Sequence, residues 1–204
     1  MHKSSRVMAA AAAGVATVAV VAGVATASPD ATATRPGFLA AGDLPPHPSE
    51  SWRAGEVTQG LPDPLPFCVA DTLPAGDRTY HRDFSTGLDT EAVQVSTTAE
   101  TPDQAAELAG QLRDSVERCT ERWLEKYPEG TAEWQDHGTV DTADGGHLYA
   151  THTALPNSSH NVHLFGVGMD GRKVTVVQWG QMGTFGDAPA KDFRETLNTA
   201  LNKL

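Results

Sequence analysis

NVHLFGVGMDGRKVTVVQW, residues 161–179, is the stretch that decides the fold. Asp170-Gly171 at its centre is a dipeptide typical of tight β-hairpins, so the flanking segments are predicted as two antiparallel strands. The first strand is largely apolar on both faces. One side carries His163, Phe165, Val167 and Met169, and the other Val162, Leu164, Gly166 and Gly168. Such a strand belongs in the middle of a sheet, and Gly166 and Gly168 would let another backbone or a ligand approach closely.

Four further segments are predicted as strands because they combine β-branched and aromatic residues with flanking turn residues. They are RTYHRDFS (78–85), EAVQVSTTA (91–99), AEWQDHGTVD (132–141) and HLYATHTAL (147–155). The segment TADGG (142–146) is a strong turn signal between the last two. Together with the hairpin, these segments predict an antiparallel sheet.

A long amphipathic helix is predicted between the second and third of these strands. Thr101 is the expected N-cap, Pro102 the first helical residue, and Gln104 completes a capping box. An apolar stripe at helical spacing follows: Ala105, Leu108, Ala109, Leu112, Val116, Cys119 and Trp123. The pattern ends near Lys126, before Pro128, which predicts one continuous helix of about 37 Å.

The C-terminal segment DAPAKDFRETLNTALNKL (187–204) is predicted as a second amphipathic helix. Its buried stripe is expected to comprise Phe193, Leu197, Ala200, Leu201 and Leu204. The element order ββαββββα predicts an α+β fold: an antiparallel β-sheet with two amphipathic helices packed on one face, in a single domain.

The N-terminal residues 1–27 are predicted to be a secretory signal peptide. Lys3 and Arg6 precede an uncharged run, and Ala25-Thr26-Ala27 places small residues before Ser28. An uncleaved membrane anchor is the alternative, since the run is about long enough to span a bilayer. Residues 28–37 are predicted as a flexible leader and 38–204 as the domain. We therefore expect a protein secreted to the extracellular or cell-wall space, without a stable membrane anchor after cleavage.

The charge balance argues against nucleic acid as a partner. The chain has 15 basic and 26 acidic residues. Removing Lys3 and Arg6 with the signal leaves 13 basic against 26 acidic residues, a net charge of −13. Such a chain repels nucleic acid and anionic lipid and favours cationic partners.

Cys68 and Cys119 are the only cysteines. In an exported chain two cysteines predict one disulfide, which would attach the proline-rich segment around Cys68 to the apolar stripe of the long helix. Two free thiols are the alternative. We do not expect a thiol nucleophile, because an apolar helix face raises the pKa of a cysteine.

Seven histidines follow the signal, and five of them fall between residues 137 and 163: His137, His147, His152, His160 and His163; the other two are His47 and His81. The odd spacings of His147 and His152, and of His160 and His163, place each pair on opposite faces of a strand. Sequence spacing therefore predicts no metal site, although a site formed across strands stays open.

No catalytic or cofactor motif is found. The chain has no Gly-x-Ser-x-Gly elbow, and GVGMDG precedes a turn rather than a helix, so neither a catalytic serine nor a dinucleotide cofactor is predicted. Carboxylate pairs at Asp136 and Asp141, or at Asp141 and Asp144, occur in turn-like contexts and are weak candidates for catalytic acids.

Four segments together resemble the extracellular sensor domain of actinobacterial PknH-type serine/threonine kinases and the free-standing exported proteins that share it. They are FLAAGDLP (38–45), LRDSVERC (112–119), VGMDGRKVTVVQW (167–179) and DFRETLNTALNKL (192–204). The resemblance implies an antiparallel sheet flanked by helices, disulfides, a ligand cleft, and a helix cysteine at Cys119. This chain has two cysteines where the kinase domains typically have four, and no kinase domain.

The expected function is therefore a secreted, non-enzymatic ligand-binding or sensor-like domain whose partner is an extracellular small molecule or protein. Two alternatives stay open. One is a secreted hydrolase of wall or extracellular polymers that uses His137 or His152. The other is an acidic module that binds or inhibits a basic protein.

Overall fold

The computed structural model describes residues 35–140 and 144–204. The predicted signal peptide and residues 28–34 of the predicted leader lie outside the described residues. At the end of that leader, the Gly37 N–H donates to the Lys203 carbonyl at 3.1 Å. No helix of the described residues is long and apolar enough to cross a membrane.

The described residues contain eight strands and three α-helices. The strands are β1 (Arg53–Ala54), β2 (Thr58–Gln59), β3 (Thr79–Ser85), β4 (Glu91–Thr98), β5 (Thr131–Val140), β6 (Gly146–Ala154), β7 (His160–Asp170) and β8 (Lys173–Met182). The helices are α1 (Pro102–Glu117), α2 (Cys119–Lys126) and α3 (Ala190–Asn202).

All eight strands belong to one antiparallel sheet. Its order is β1-β3-β4-β8-β7-β6-β5, and β2 also pairs with β3. The predicted α+β class and antiparallel sheet are confirmed. The hairpin β7–β8 lies at the centre because its strands are apolar on both faces and need cover on both.

The two faces of the sheet have separate hydrophobic cores, so the expectation that both long helices pack on one face is wrong. On one face Leu164 and Val177 pack with Leu197 of α3. On the other, Phe165 and Val176 pack with Leu112 of α1. Successive residues of a strand point to opposite faces, so a hairpin that is apolar on both sides requires a helix on each. We call the first the α3 face. We call the second the strap face, after the proline-rich segment 61–73 that crosses it.

Gly166 and Gly168 both lie beneath helix α3, and Gly168 also allows the close approach of another backbone. A Cβ on Gly166 would lie 2.7 Å from Leu197 Cδ1, and one on Gly168 would lie 2.6 Å from Leu201 Cδ2 and 2.9 Å from the Gly145 carbonyl oxygen. The glycines therefore form the surface into which the leucines of α3 pack.

The predicted long helix is divided in two at Arg118, whose φ of −88° and ψ of 4° end α1 and precede α2. The predicted N-cap is confirmed, since Thr101 Oγ1 accepts the Gln104 N–H at 3.2 Å. The predicted capping box differs, because the Gln104 side chain accepts the Glu100 N–H at 3.1 Å rather than the Thr101 N–H. At the break, the Arg122 guanidinium donates to the Ser115 carbonyl at 2.9 Å. This side-chain contact satisfies a carbonyl at the end of α1, where the regular helical pattern stops.

Candidate functional site

The proline-rich segment 61–73, which we call the strap, crosses the strap face beside α1. Pro62 and Pro66 are buried, and so are Val69 and Leu73, which join the core beneath α1. The predicted disulfide between Cys68 and Cys119 is present, with an S–S distance of 2.00 Å. It attaches the middle of the strap to the first residue of α2.

Polar contacts fix the strap at the same point. Cys68 has a left-handed backbone, with φ of 68°, a conformation that is costly for a residue other than glycine. Its carbonyl accepts hydrogen bonds from Ser115 Oγ at 2.7 Å and from the Arg122 guanidinium at 2.8 Å. The helix pair therefore holds the strap in place through both covalent and polar contacts.

A row of mainly polar residues crosses the strap face at right angles to the strands. Each member pairs directly with the next across neighbouring strands, in the order Arg53, Ser85, Glu91, Gly180, His163, Thr151 and Trp134. We call it the polar row. It runs through seven strands. Thr151 is buried and 0% exposed, the row is half-buried at Ser85, Gly180 and His163, and it is exposed at Arg53, Glu91 and Trp134.

One end of the polar row opens into a cleft of about 440 Å³ between the strap and the sheet. The row contributes Arg53, Ser85 and Glu91 to its lining. The remaining walls come from the strap and from the adjoining strands, including Asp63, Leu65, Asp83, Phe84, Val93 and Gln178. The volume is within the range of pockets that bind small molecules.

Three buried polar atoms near this cleft have no hydrogen-bond partner in the described part of the chain. They are Gln178 Oε1, His163 Nδ1 and Thr151 Oγ1, all on the strap face of β8, β7 and β6. Buried Gln94 on the α3 face shows the usual situation, because its amide bonds to Leu39 and Thr175. Unpartnered buried polar atoms are uncommon in folded proteins, and these three lie on neighbouring strands of one face; the fourth in the described residues, Asn198 Oδ1, lies in α3.

His163 is the central residue of this group. Its ring lies 5.0 Å from the ring of Phe67 in the strap, centroid to centroid. Burial lowers the pKa of His163 to about 4, so the imidazole is neutral at neutral pH. It can therefore donate or accept a hydrogen bond without introducing charge.

The large apolar side chains that are exposed in the described residues lie around the polar row. Leu65 is in the strap, Leu88 is in the β3–β4 turn, and Met182 follows Gly180 by two positions on the same face. Trp134 ends the row.

Two smaller hollows lie elsewhere. One, of about 360 Å³, is beside the disulfide and is lined by Phe67, Trp123 and Tyr127 together with Arg122 and Lys126. The other, of about 170 Å³, lies on the α3 face between Trp52 and Trp179.

The histidines form contacts across strands that sequence spacing could not show. His152 Nε2 lies 2.9 Å from His160 Nδ1, and His147 Nε2 lies 2.6 Å from Asp136 Oδ1. The bond to His147 lowers the pKa of Asp136, and the same carboxylate accepts the Gly138 N–H at the bulge of β5. Across residues 35–140 and 144–204, no three His, Cys, Asp or Glu side chains gather as a metal site.

The other candidates from the sequence do not come together with the cleft. Asp136 is hydrogen-bonded at the β5–β6 edge, and Asp144 accepts the Gly171 N–H in the β7–β8 turn. Asp141 lies outside the described residues. His137 is half-buried beside Arg194. Burial is the main cause that lowers the pKa of His137, and the positive charge of Arg194 lowers it further.

The polar row was not predicted from the sequence. Its members come from seven strands, and only the pairing register aligns them. The one available signal was a polar residue, His163, in an otherwise apolar strand.

No protein-family model matches the chain, and no curated protein or solved structure matches it either.

Proposed function

We propose that this chain is an exported ligand-binding domain, and that the cleft between the strap and the polar row is its binding site. The observation that carries the proposal is that the polar row leads from the open cleft to His163 and Thr151, which together with the neighbouring Gln178 carry three buried, unpartnered polar atoms. A sheet face built only for stability would be expected to carry apolar or fully bonded side chains in this position.

The architecture around the cleft suits binding without catalysis. The strap is fixed by the disulfide and by two hydrogen bonds to the Cys68 carbonyl, so the walls of the cleft are preorganised. In the described residues no serine, threonine or cysteine side chain is hydrogen-bonded to a histidine ring in the manner of a nucleophile and its base. The resemblance to PknH-type sensor domains, in which a cleft is thought to receive an extracellular ligand, supports the same proposal.

Export is part of the proposal. The signal-like residues 1–27 and the disulfide between Cys68 and Cys119 both suit an oxidising compartment outside the cytoplasm. Expression of the full chain in a bacterial host should yield a mature protein in the cell envelope or medium that begins at Ser28. Retention of Met1 in a cytoplasmic product would contradict export, independently of any ligand.

The binding proposal is tested with a library of neutral, anionic and cationic small molecules and two matched variants. Ser85→Phe places a ring in the cleft, whereas Thr58→Phe places one on the exposed strand β2, outside the cleft lining. We expect compounds that raise the melting temperature of the wild type and of the Thr58→Phe protein but not of the Ser85→Phe protein. Ligands that stabilise all three proteins equally, or a library without any ligand, would contradict the proposal.

A further inference from the structure

His152 of β6 and His160 of β7 come together on the α3 face of the sheet. Thr151 and His163 belong to the strap face, so residues at odd distances from them along the same strands point to the α3 face. In the β6–β7 register His160 pairs with Ala154, two residues beyond His152. The two histidines are therefore diagonal neighbours on adjacent strands, a separation that aromatic side chains can span.

One ring nitrogen of each histidine faces the other. His152 Nε2 lies 2.9 Å from His160 Nδ1, and the ring centroids are 5.0 Å apart. Neither ring makes another hydrogen bond within residues 35–140 and 144–204. As a hydrogen-bonded pair, one ring donates the N–H that the other accepts. A metal ion that replaces this proton would be bound by both nitrogens.

Contacts around the pair position the two residues and leave them open to water. The ring of Phe185, which follows β8, lies 5.7 Å from the ring of His152, centroid to centroid. The Gly183 N–H donates to the His160 carbonyl at 2.9 Å and holds the start of β7. His152 is half-buried and His160 is exposed. Water can therefore complete the coordination of an ion held by the two imidazoles.

The distance between the two nitrogens favours copper(II). With metal–nitrogen bonds of about 2.0 Å, adjacent ligands of a square plane are about 2.8 Å apart, and ligands of a tetrahedron are about 3.3 Å apart. The separation of 2.9 Å is close to the square-planar value. Copper(II) is also the divalent first-row metal that such ligands bind most tightly. Both cysteines are in the disulfide, so no thiolate competes for the ion.

We propose that His152 and His160 bind one copper(II) ion, through Nε2 and Nδ1 respectively, with water in the remaining positions. Glu133 of β5 pairs directly with His152 on the same face, and its exposed carboxylate attracts a divalent cation to the site. The cleft lies on the opposite face of the sheet, so this inference is independent of the proposed function.

The first test titrates copper(II) into the untagged chain and into three histidine variants. His152→Gln and His160→Gln should each weaken binding at least about tenfold, because the remaining imidazole loses a second ligand held at high effective concentration. His47→Gln removes a histidine outside the pair and should bind as the wild type does. Zinc should bind the wild type at least about tenfold more weakly than copper(II).

The second test locates the ion without any substitution. The electron paramagnetic resonance spectrum of the stoichiometric complex should show coupling to nitrogens of two imidazoles. In the isotopically labelled wild type, copper(II) should broaden the backbone amide resonances of His152, His160 and Gly183 before those of Ser85 and Gln178 in the cleft.

The contrary results are specific. If copper(II) does not bind, binds equally to the wild type and both paired variants, couples to one imidazole, or first broadens resonances elsewhere, the pair is only a hydrogen-bonded contact and any copper binding is adventitious. Zinc binding as tight as that of copper(II) would overturn the assignment of the metal. The proposed function fails only in the separate comparison of Ser85→Phe with Thr58→Phe.

Discussion

The imidazole of His163 lies over Gly180 on the neighbouring strand: a Cβ on Gly180 would lie 2.6 Å from its Cδ2. Gly180 is thus the position in the polar row that has no side chain, and the ring of His163 occupies the space. Phe67 of the strap packs on the same ring. The contact joins the strap to the polar row, and it explains why Nδ1 of this histidine is buried although the residue lies near an open cleft.

Stability should fall on acidification because of His163. Its pKa is about 4 in the folded protein, lowered by burial, against an ordinary value of 6.5 in the unfolded chain. Between those two values the unfolded state binds more protons, so stability falls as the pH falls through this window and is unaffected above it. The full effect is about 3 kcal/mol.

This prediction is checked by denaturant unfolding at a series of pH values. The difference in unfolding free energy between the wild type and His163→Gln should change between pH 6.5 and pH 4 and be constant above. His47→Gln, a substitution of a histidine outside the strap face, is measured alongside as the control. A His163→Gln protein with the wild-type slope would show that this histidine is not the titrating group.

Thr151→Val should leave the protein as stable as the wild type or stabilise it by about 1 kcal/mol. Thr151 Oγ1 is buried without a partner, so valine of the same shape removes a desolvation cost and no hydrogen bond. Thr175→Val is the matched control. Thr175 is equally buried, but its hydroxyl bonds to Ser96 at 2.7 Å and to Gln94 at 3.2 Å, so this change should cost about 1–2 kcal/mol. Equal losses in chemical denaturation would contradict the assignment of Thr151 as unpartnered.

Gly166→Ala should destabilise the protein by about 1–3 kcal/mol, because the new methyl group overlaps Leu197 of α3 in a packed core. Gly110→Ala in α1 is the opposite case. A Cβ there meets nothing within 4 Å, and alanine favours a helix over glycine by about 1 kcal/mol, so this variant should be more stable. Thermal unfolding measures the change in stability of each variant, which should be a loss for Gly166→Ala and a gain for Gly110→Ala. A neutral Gly166→Ala protein would mean that α3 is not packed on the sheet at this point.

Loss of the disulfide should cost about 4 kcal/mol of unfolding free energy, since it closes a loop across a sequence separation of 51 residues. The unfolding free energy of the Cys68→Ser/Cys119→Ser protein is compared with that of the wild type, measured with and without reductant. Release of the strap should also abolish ligand binding in the cleft. A doubly substituted protein that unfolds at the wild-type denaturant concentration would contradict a structural role for the bond.

The six longer strands and the helices were predictable from the sequence because each has a local signal, whereas the two-residue strands β1 and β2 were not predicted. Thr101-Pro102 begins α1, Asp170-Gly171 turns the central hairpin, and strand bounds agree within a few residues. The same hairpin also indicated that both faces of the sheet are covered by other elements, since the apolar side chains of Leu164 and Phe165 point to opposite faces. The prediction of both helices on one face neglected this requirement.

The break at Arg118 and the site itself depend on contacts between distant residues. The Cys68 carbonyl and Arg122 meet only after the strap has crossed the sheet. The polar row likewise depends on the pairing of β4 with β8, residues far apart in the chain. Local periodicity carries no information on such register, so sequence reasoning could identify the disulfide but not the cleft that it helps to shape.

The most direct test of the central claim is the position of a bound ligand, mapped by amide chemical shifts in the isotopically labelled domain. For any ligand found with the wild type, the account predicts the largest shifts at Ser85, Glu91 and Gln178, with smaller ones reaching His163. Largest shifts on the α3 face, around Trp52 and Trp179, would contradict the assignment of the binding site to the cleft beneath the strap.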